Sequence, residues 1–199
     1  MKKKELEILL EAVQPFQAPN PTSEQYHTPA IIAADMLFTA YSLGDIYDKN
    51  VIDLGCGTGM LAIAAALLGA RSVKGVERDP SALELAKLNV QKMGVNVELI
   101  LSDIQNFQGN TDTVVMNPPF GAQNRHADRP FLDKAMEVAQ VAYSLHNAIT
   151  QEFLLRMIQS AGAEVRILKR YKLGIPHTFA FHKRERKDVS VLLLRIQTR

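Results

Sequence analysis

From residue 50 onward, apolar runs of strand length alternate with helically spaced segments, and that alternation leaves few folds open. Strands are expected at 50–54, 72–76, 96–101, 112–116, 141–145, 164–170 and 189–196, with helical spacing at 59–68, 80–93, 130–139 and 149–161. Strands separated by helices argue for βαβ units. The fold class is therefore α/β, a seven-stranded and mostly parallel sheet with helices on both faces. The last connection, 171–188, has no helical period, so the final strand should return antiparallel to its neighbours.

Ahead of this pattern, Lys2–Val13 places apolar residues at 6, 9, 10 and 13, and Ala30–Ser42 reads as a second helix with Pro29 at its start. Residues 14–29 (QPFQAPNPTSEQYHTP) should form an irregular connection. No linker composition or internal repeat divides the 199 residues, so we expect an N-terminal helical extension, 1–45, packing on one catalytic domain, 46–199. A single cysteine, Cys56, excludes an internal disulfide and suits a reducing compartment. No apolar stretch is long enough to span a bilayer, and acids at 5, 7 and 11 interrupt any secretory h-region. A cytoplasmic protein without a membrane partner is expected. Residues 166–199 carry ten Lys/Arg against two acids, whereas 1–165 carry thirteen against nineteen. That asymmetry suggests a face for a polyanion, unless the tail is simply a solvated surface.

Val51-Ile-Asp-Leu-Gly-Cys-Gly-Thr-Gly59 runs a strand into a glycine-rich turn. In doubly wound sheets, ligands sit at such strand C-termini. Gly55, Gly57 and Gly59 would let a ligand approach the backbone, although the spacing is not that of the dinucleotide fingerprint. Asp53 sharpens the reading. An acid here would repel a pyrophosphate but can accept a hydrogen bond from an ammonium group, which favours a methionine-derived ligand. Glu77, about 20 residues past the glycines, closes the next strand where an acid can bind ribose hydroxyls. Asp79 is placed to cap the helix that starts at Pro80.

Asn117-Pro118-Pro119-Phe120 closes the strand 112–116. Two prolines and an aromatic cannot extend a ladder. With the glycine turn, this corner resembles the class I S-adenosylmethionine-dependent methyltransferases that act on planar amino nitrogens. The resemblance implies a Rossmann-like sheet with its last strand reversed, S-adenosylmethionine as cofactor, and no metal. Asp103, followed by Ile104, stands where that family's acid accepts from the adenine amino group of the cofactor. Asn117 and the Pro118 carbonyl would each accept one hydrogen of the target amine, localising its lone pair. Pro119 would stiffen the corner, and Phe120 would give the base a stacking face worth about 1–3 kcal/mol. A base inside a duplex must be flipped out or already unpaired to reach it.

Ser23-Glu-Gln-Tyr-His-Thr-Pro29, Gly121 after the corner, Ala142-Tyr-Ser-Leu-His146 and Phe181-His-Lys183 bring the likeness closer. They resemble the archaeal and eukaryotic family that N6-methylates one adenosine of small-subunit ribosomal RNA. In that family the segment matching Gln25 and Thr28 closes over the cofactor; here Thr28 could instead merely start a helix. Glu77 stands where related chains often have Asp, and Thr58 replaces a second Cys. Lys172, Lys183, Arg184, Arg186 and Lys187, interleaved with Tyr171, Phe179 and Phe181, would form an RNA-binding rim with Arg125 and Arg129. A small zinc-ribbon activator adding a strand along Val95–Leu101 is also implied by the resemblance. The five histidines show no ligand spacing. Two other readings stay open: a protein glutamine N5-methyltransferase acting on a release factor, whose corner usually ends in Tyr, and a non-catalytic RNA-binding scaffold.

Overall fold

The computed structural model describes residues 1–16, 27–120, 127–175 and 187–198, with only the backbone described at 174–175 and 187–188. The elements run α1 (Lys3–Leu10), α2 (Ala30–Ser42), β1 (Asn50–Leu54), α3 (Met60–Leu67), β2 (Ser72–Glu77), α4 (Pro80–Met93) and β3 (Glu98–Leu101). They continue as β4 (Thr111–Met116), α5 (Arg129–Val138), β5 (Ala139–Asn147), α6 (Gln151–Ser160), β6 (Glu164–Ile175) and β7 (Lys187–Gln197). The strands form one sheet in the order β3-β2-β1-β4-β5-β7-β6. Neighbours from β3 to β5 pair in parallel, and β7 runs antiparallel between β5 and β6. The expected α/β fold and reversed last strand are both present.

Alternation along the strands explains the two buried layers. Val51, Val115, Tyr143, Leu145 and Leu193 pack on one face beneath α1, α2 and α3. Ile52, Leu54, Val114, Met116, Ala142, Leu192 and Leu194 pack on the other beneath α5 and α6. Successive strand residues point to opposite sides, so a strand covered on both faces must be apolar throughout, as Leu192-Leu193-Leu194 is. Leu6, Leu10 and Val13 of the N-terminal extension are buried in the first of these layers.

Helix ends follow their local chemistry. Asp79 accepts a hydrogen bond from Ser81 N at 2.8 Å ahead of Pro80, and Gly94 closes α4 at φ +63°. Pro29 sits one residue outside α2, its carbonyl accepting from Ile32 N and Ala33 N.

The C-terminal pair departs from expectation. β6 continues to Ile175 and β7 begins at Lys187, so Lys172 and Lys187 lie in a paired ladder and not in a loop spanning 171–188. The physical reason is a bulge. Ile167 pairs with Leu194 and Lys169 with Leu193, which leaves Leu168 as an extra residue. Before it, Val165 and Ile167 face the α5/α6 layer; after it, Leu168, Tyr171 and Leu173 face the α1/α2 layer. A one-residue slip exchanges the two faces of a strand. Lys169 and Tyr171 thereby reach Asp35 of α2, with the Lys169 ammonium and the Tyr171 hydroxyl donating at 2.7 and 2.9 Å. The stretch past Arg170, read from the sequence as a loop, is held in the ladder with the help of that carboxylate.

Because Leu10 is wholly buried in the same layer as β1 and β5, the extension should not melt separately. Leu10→Ala is expected to cost about 2–5 kcal/mol in a single urea transition; a second, early transition would show the extension unfolding alone.

Candidate active site

Strand order turns back at β1 and β4, which lie side by side while the chain winds outward from them in both directions. Ligands of open α/β sheets bind in the crevice at this switch point. The glycine turn leaves β1 there and Asn117-Pro118-Pro119-Phe120 leaves β4, with Asp53 opposite Val115 in the ladder. Glu77 ends the neighbouring β2, and Asp103 follows β3. The topology therefore brings together the residues singled out on the four parallel strand ends.

The turn is held open by its backbone. Gly55 N and Cys56 N both donate to the Val76 carbonyl, at 2.8 and 3.0 Å. Gly55 has φ +70°, and a Cβ there would lie 2.7 Å from the Phe131 ring of α5. Gly57 has φ +53° and donates its N–H to Glu77 Oε2 at 2.9 Å; a Cβ on it would meet Phe16 at 3.2 Å. The backbone conformation disfavours a side chain at both positions, and at Gly55 the Phe131 ring would also have to shift. Two rings, Phe16 before α2 and Phe131 in α5, thus flank the turn.

The acids divide into different environments. Glu77 Oε1 also accepts from Arg78 N and Asp79 N, both at 2.9 Å, so this carboxylate gathers three backbone donors around the turn. Asp103 accepts from Gln105 N at 2.9 Å at the head of a short 3-10 turn in which Ile104 is buried. Asp53 is 1% exposed and accepts from Ala62 N, in the first turn of α3, at 2.9 Å. Burial pushes its carboxyl up to about 8 against the pull of that N–H, with the nearby Glu77 charge adding to the rise.

At the corner, Asn117 Nδ2 donates to Thr28 Oγ1 at 2.9 Å. Thr28 is buried, so the residue ahead of α2 orients the Asn117 amide. Asn117 Oδ1 is buried and has no hydrogen-bond partner, an uncommon state that marks an acceptor facing a missing donor. His27 Nδ1 is likewise buried without a partner, and burial lowers the pKa of that imidazole. Pro118 is buried, while Pro119 and Phe120 are half-buried.

The expected RNA rim is only partly visible. Arg129 begins α5 with its side chain exposed, 3.8 Å from Asp133, and Lys172 is exposed on β6. Lys187 starts β7, whereas Gln25, Arg125, Lys183, Arg184 and Arg186 lie outside the described residues.

Sequence reasoning missed Asn89. Fully buried in α4, it accepts from Gln14 N at 2.9 Å and donates Nδ2 to the carbonyls of Gln14 and Thr58, at 3.1 and 2.9 Å. It fastens the start of the N-terminal connection to the glycine turn. A buried Asn in an otherwise amphipathic helix was the available signal. His146, set aside for lack of ligand spacing, is buried on β5 with both ring nitrogens hydrogen-bonded.

The chain is similar to known proteins over nearly its whole length. The methyltransferase small domain model matches residues 32–145. An uncharacterised protein of Methanocaldococcus jannaschii is 37% identical, the match covering 99% of this chain and 94% of that protein. The rRNA N6-adenosine-methyltransferase METTL5 of Danio rerio is 35% identical, with 98% of each chain covered. A crystal structure of a candidate RNA methyltransferase from Pyrococcus horikoshii superposes with a TM-score of 0.91 at 40% identity, covering 99% of this chain and 98% of that one.

The Asp53 carboxyl gives a pH signature. With a folded pKa of about 8 against about 4 when unfolded, the native state holds an extra proton between those values. Its contribution is full below the lower value and is lost as pH rises through the upper one. Relative to Asp53→Asn, the wild-type protein should therefore lose stability from pH 5.5 to 8.5, measured as urea midpoints without ligand. A difference independent of pH would show that Asp53 is ionised throughout.

Proposed function

The chain belongs to the methyltransferase small-domain family, together with the rRNA N6-adenosine methyltransferases it matches over nearly its whole length, and on that premise we propose that it methylates N6 of an adenosine in small-subunit ribosomal RNA. The observation that carries this reading is the Asn117 side-chain oxygen, a buried acceptor without a donor, at the end of β4 beside the glycine turn. An exocyclic amine is the donor that fits. Its lone pair is delocalised into the base, and it needs acceptors that hold its hydrogens more than it needs a strong general base.

S-adenosylmethionine fits the residues present, and when bound it supplies an electrophilic methyl group on its sulfonium. Asp53 would meet its ammonium group, where a carboxyl raised to about 8 is drawn into the ionised form by the arriving cation. Gly55, Gly57 and Gly59 would form the turn against which it lies, and Glu77 would take a ribose hydroxyl through Oε2, which accepts from Gly57 N and retains a lone pair, whereas Oε1 already accepts from Arg78 N and Asp79 N. Asp103 and Ile104 would hold the adenine, with Gln25 and Thr28 on the side of the N-terminal extension, 1–45, that packs on the catalytic unit, 46–199.

For the substrate, Asn117 Oδ1 and the Pro118 carbonyl would accept the two amine hydrogens and aim the nitrogen lone pair at the methyl group. Thr28 Oγ1 accepts from Asn117 Nδ2, which would leave the amide oxygen for the amine. Pro118 and Pro119 restrict the backbone before substrate arrives, so little reorganisation accompanies transfer. Phe120 would stack on the extruded base. Arg125, Arg129, Lys172, Lys183, Arg184, Arg186 and Lys187 are assigned to the RNA backbone, supported by the basic charge of residues 166–199. No helix among the described residues is long and apolar enough to cross a membrane, and we assign the work to the cytoplasm.

A partner is part of the proposal. β3 is an edge strand, with Leu101 on it 56% exposed and Leu88 of the adjacent α4 59% exposed. Apolar edges invite strand addition, and a small zinc-ribbon activator pairing there would cover both leucines. A wild-type protein that is monomeric and fully active alone would count against this partner.

The deciding experiment offers labelled S-adenosylmethionine with unmodified ribosomal RNA and, in parallel, a release factor, then identifies the methylated product by mass. N6-methyladenosine is expected; label in glutamine would replace this reading with the protein-directed one, and cofactor binding without any product would favour a scaffold or a missing activator. Asn117→Ala should lower turnover by roughly 10²–10³-fold with cofactor affinity nearly unchanged.

A further inference from the structure

Behind the corner lies a chain of buried polar groups that the reaction outlined above does not use. Ser144 Oγ stands 2.7 Å from His146 Nε2, and His146 Nδ1 stands 3.1 Å from Asp128 Oδ2. Ser144 and His146 have no exposed surface, and Asp128 is 6% exposed. The simplest assignment has Nδ1–H donating to the carboxylate and the serine hydroxyl donating to Nε2. Serine hydrolases use the same wiring, but their nucleophile must be open to substrate. Here no acyl group can reach Ser144.

What the chain does instead follows from where its ends lie. Met116 pairs with Ser144, so Asn117 and Pro118 leave β4 at the level of Leu145 and His146 on the adjacent strand. Asp128 immediately precedes α5. The Asp128 backbone is already helical, at φ −76° and ψ −20°, and its side chain makes no cap bond but turns to His146. The first turn of α5, closed by the Leu132 N–H bond to the Asp128 carbonyl, is thereby also tied to β5 by a side chain. That turn carries Phe131, whose ring lies against Gly55 of the cofactor turn, and Arg129 on its exposed side. One tether thus connects the strand beside the amine corner with the helix that flanks the glycine turn.

We propose that Asp128 and His146 are positioning residues for methyl transfer, holding the first turn of α5 in register with both the Asn117 corner and the glycine turn. This rests on the methyltransferase reading, and it goes beyond that reading by assigning a catalytic consequence to residues that touch neither cofactor nor base. Asp128 and His146 set the distance between two halves of the site that different strands carry, and the reaction depends on that distance.

The test compares Asp128→Ala, Asp128→Asn and a control, Ile158→Val or Ile158→Ala, whichever lowers the melting temperature as Asp128→Ala does. Ile158 is buried in α6. Turnover is measured at saturating RNA and cofactor, below every variant's melting transition, and hydrogen exchange is followed at Leu132 N–H, which donates to the Asp128 carbonyl. Asp128→Ala should lose about 10–100-fold in kcat and expose the Leu132 amide. Asp128→Asn, which keeps an acceptor for Nδ1–H, should recover most of both, and the control should retain wild-type kcat. The proposal is overturned by a wild-type kcat in Asp128→Ala, by an equal loss in the control, or by no recovery in Asp128→Asn. A wild-type protein that methylates neither RNA nor release factor, alone or supplemented with cell extract, removes the methyltransferase reading and the catalytic role with it; faster Leu132 exchange in Asp128→Ala would then mark a purely structural tether.

Discussion

Parallel pairing of β1 with β4 sets the distance on which the whole site depends. Val51 lies opposite Thr113 and Asp53 opposite Val115, so the two strands finish within a residue or two of each other. Neighbouring strands are only about 4.8 Å apart. A glycine turn and an amide corner that are some 60 residues apart in sequence must therefore share one crevice. Buried alternation on both faces pins the register, because a slip of one residue would turn Val114 and Met116 out of one layer and Val115 out of the other. Packing far from the chemistry thus fixes where the chemistry can occur.

Buried and partly buried acids serve two purposes in this fold, and their surroundings tell them apart. Asp35 accepts from Lys3, Lys169 and Tyr171; Asp45 accepts from Tyr143 and Arg195. Each joins an element of the N-terminal half to the C-terminal strands with cations close at hand, and each is structurally complete as it stands. Asp53 accepts from one backbone N–H and meets no cation among the described residues, and its carboxyl is pushed far up by burial. A carboxyl kept neutral at such a cost is poised to gain energy from an arriving positive charge. Asn117 carries the same imbalance in neutral form, its oxygen unpaired while its nitrogen is bonded. These are the places where local stability is given up.

The sheet was legible because its cues are local. Alternation, the Asp79-Pro80 helix start and the Gly94 stop each act within a few residues, and α2, α4 and β1 have the expected bounds. The end of β6 was not legible, since Tyr171 and Lys172 open a basic stretch that resembles a solvated loop until the Leu168 bulge turns Tyr171 toward Asp35 on a helix 136 residues away. In the site, residue types at strand ends pointed to Asp53, Glu77 and Asn117. Asn89 escaped because its partners, Gln14 and Thr58, are 75 and 31 residues distant. His146 escaped because a strand histidine with no second ligand nearby carries no pattern that sequence spacing can expose.

The N-terminal extension closes the argument about how the crevice is assembled. Asn89 holds Gln14 by both backbone groups and touches the glycine turn at Thr58; fourteen residues after Gln14, Thr28 holds the Asn117 amide. The same stretch of chain is therefore fastened to both halves of the site, once beside the cofactor turn and once at the corner. Leu6, Leu10 and the apolar face of α2 secure it to the sheet. An extension attached only by its helices could drift without altering the chemistry. One that bonds the Asn117 amide cannot, and on the proposed reading any displacement of α2 would pass through Thr28 to the atom assigned to the amine hydrogen. The extension would in this sense be a structural part of the corner, with the setting of Asn117 dependent on a helix more than 70 residues before it.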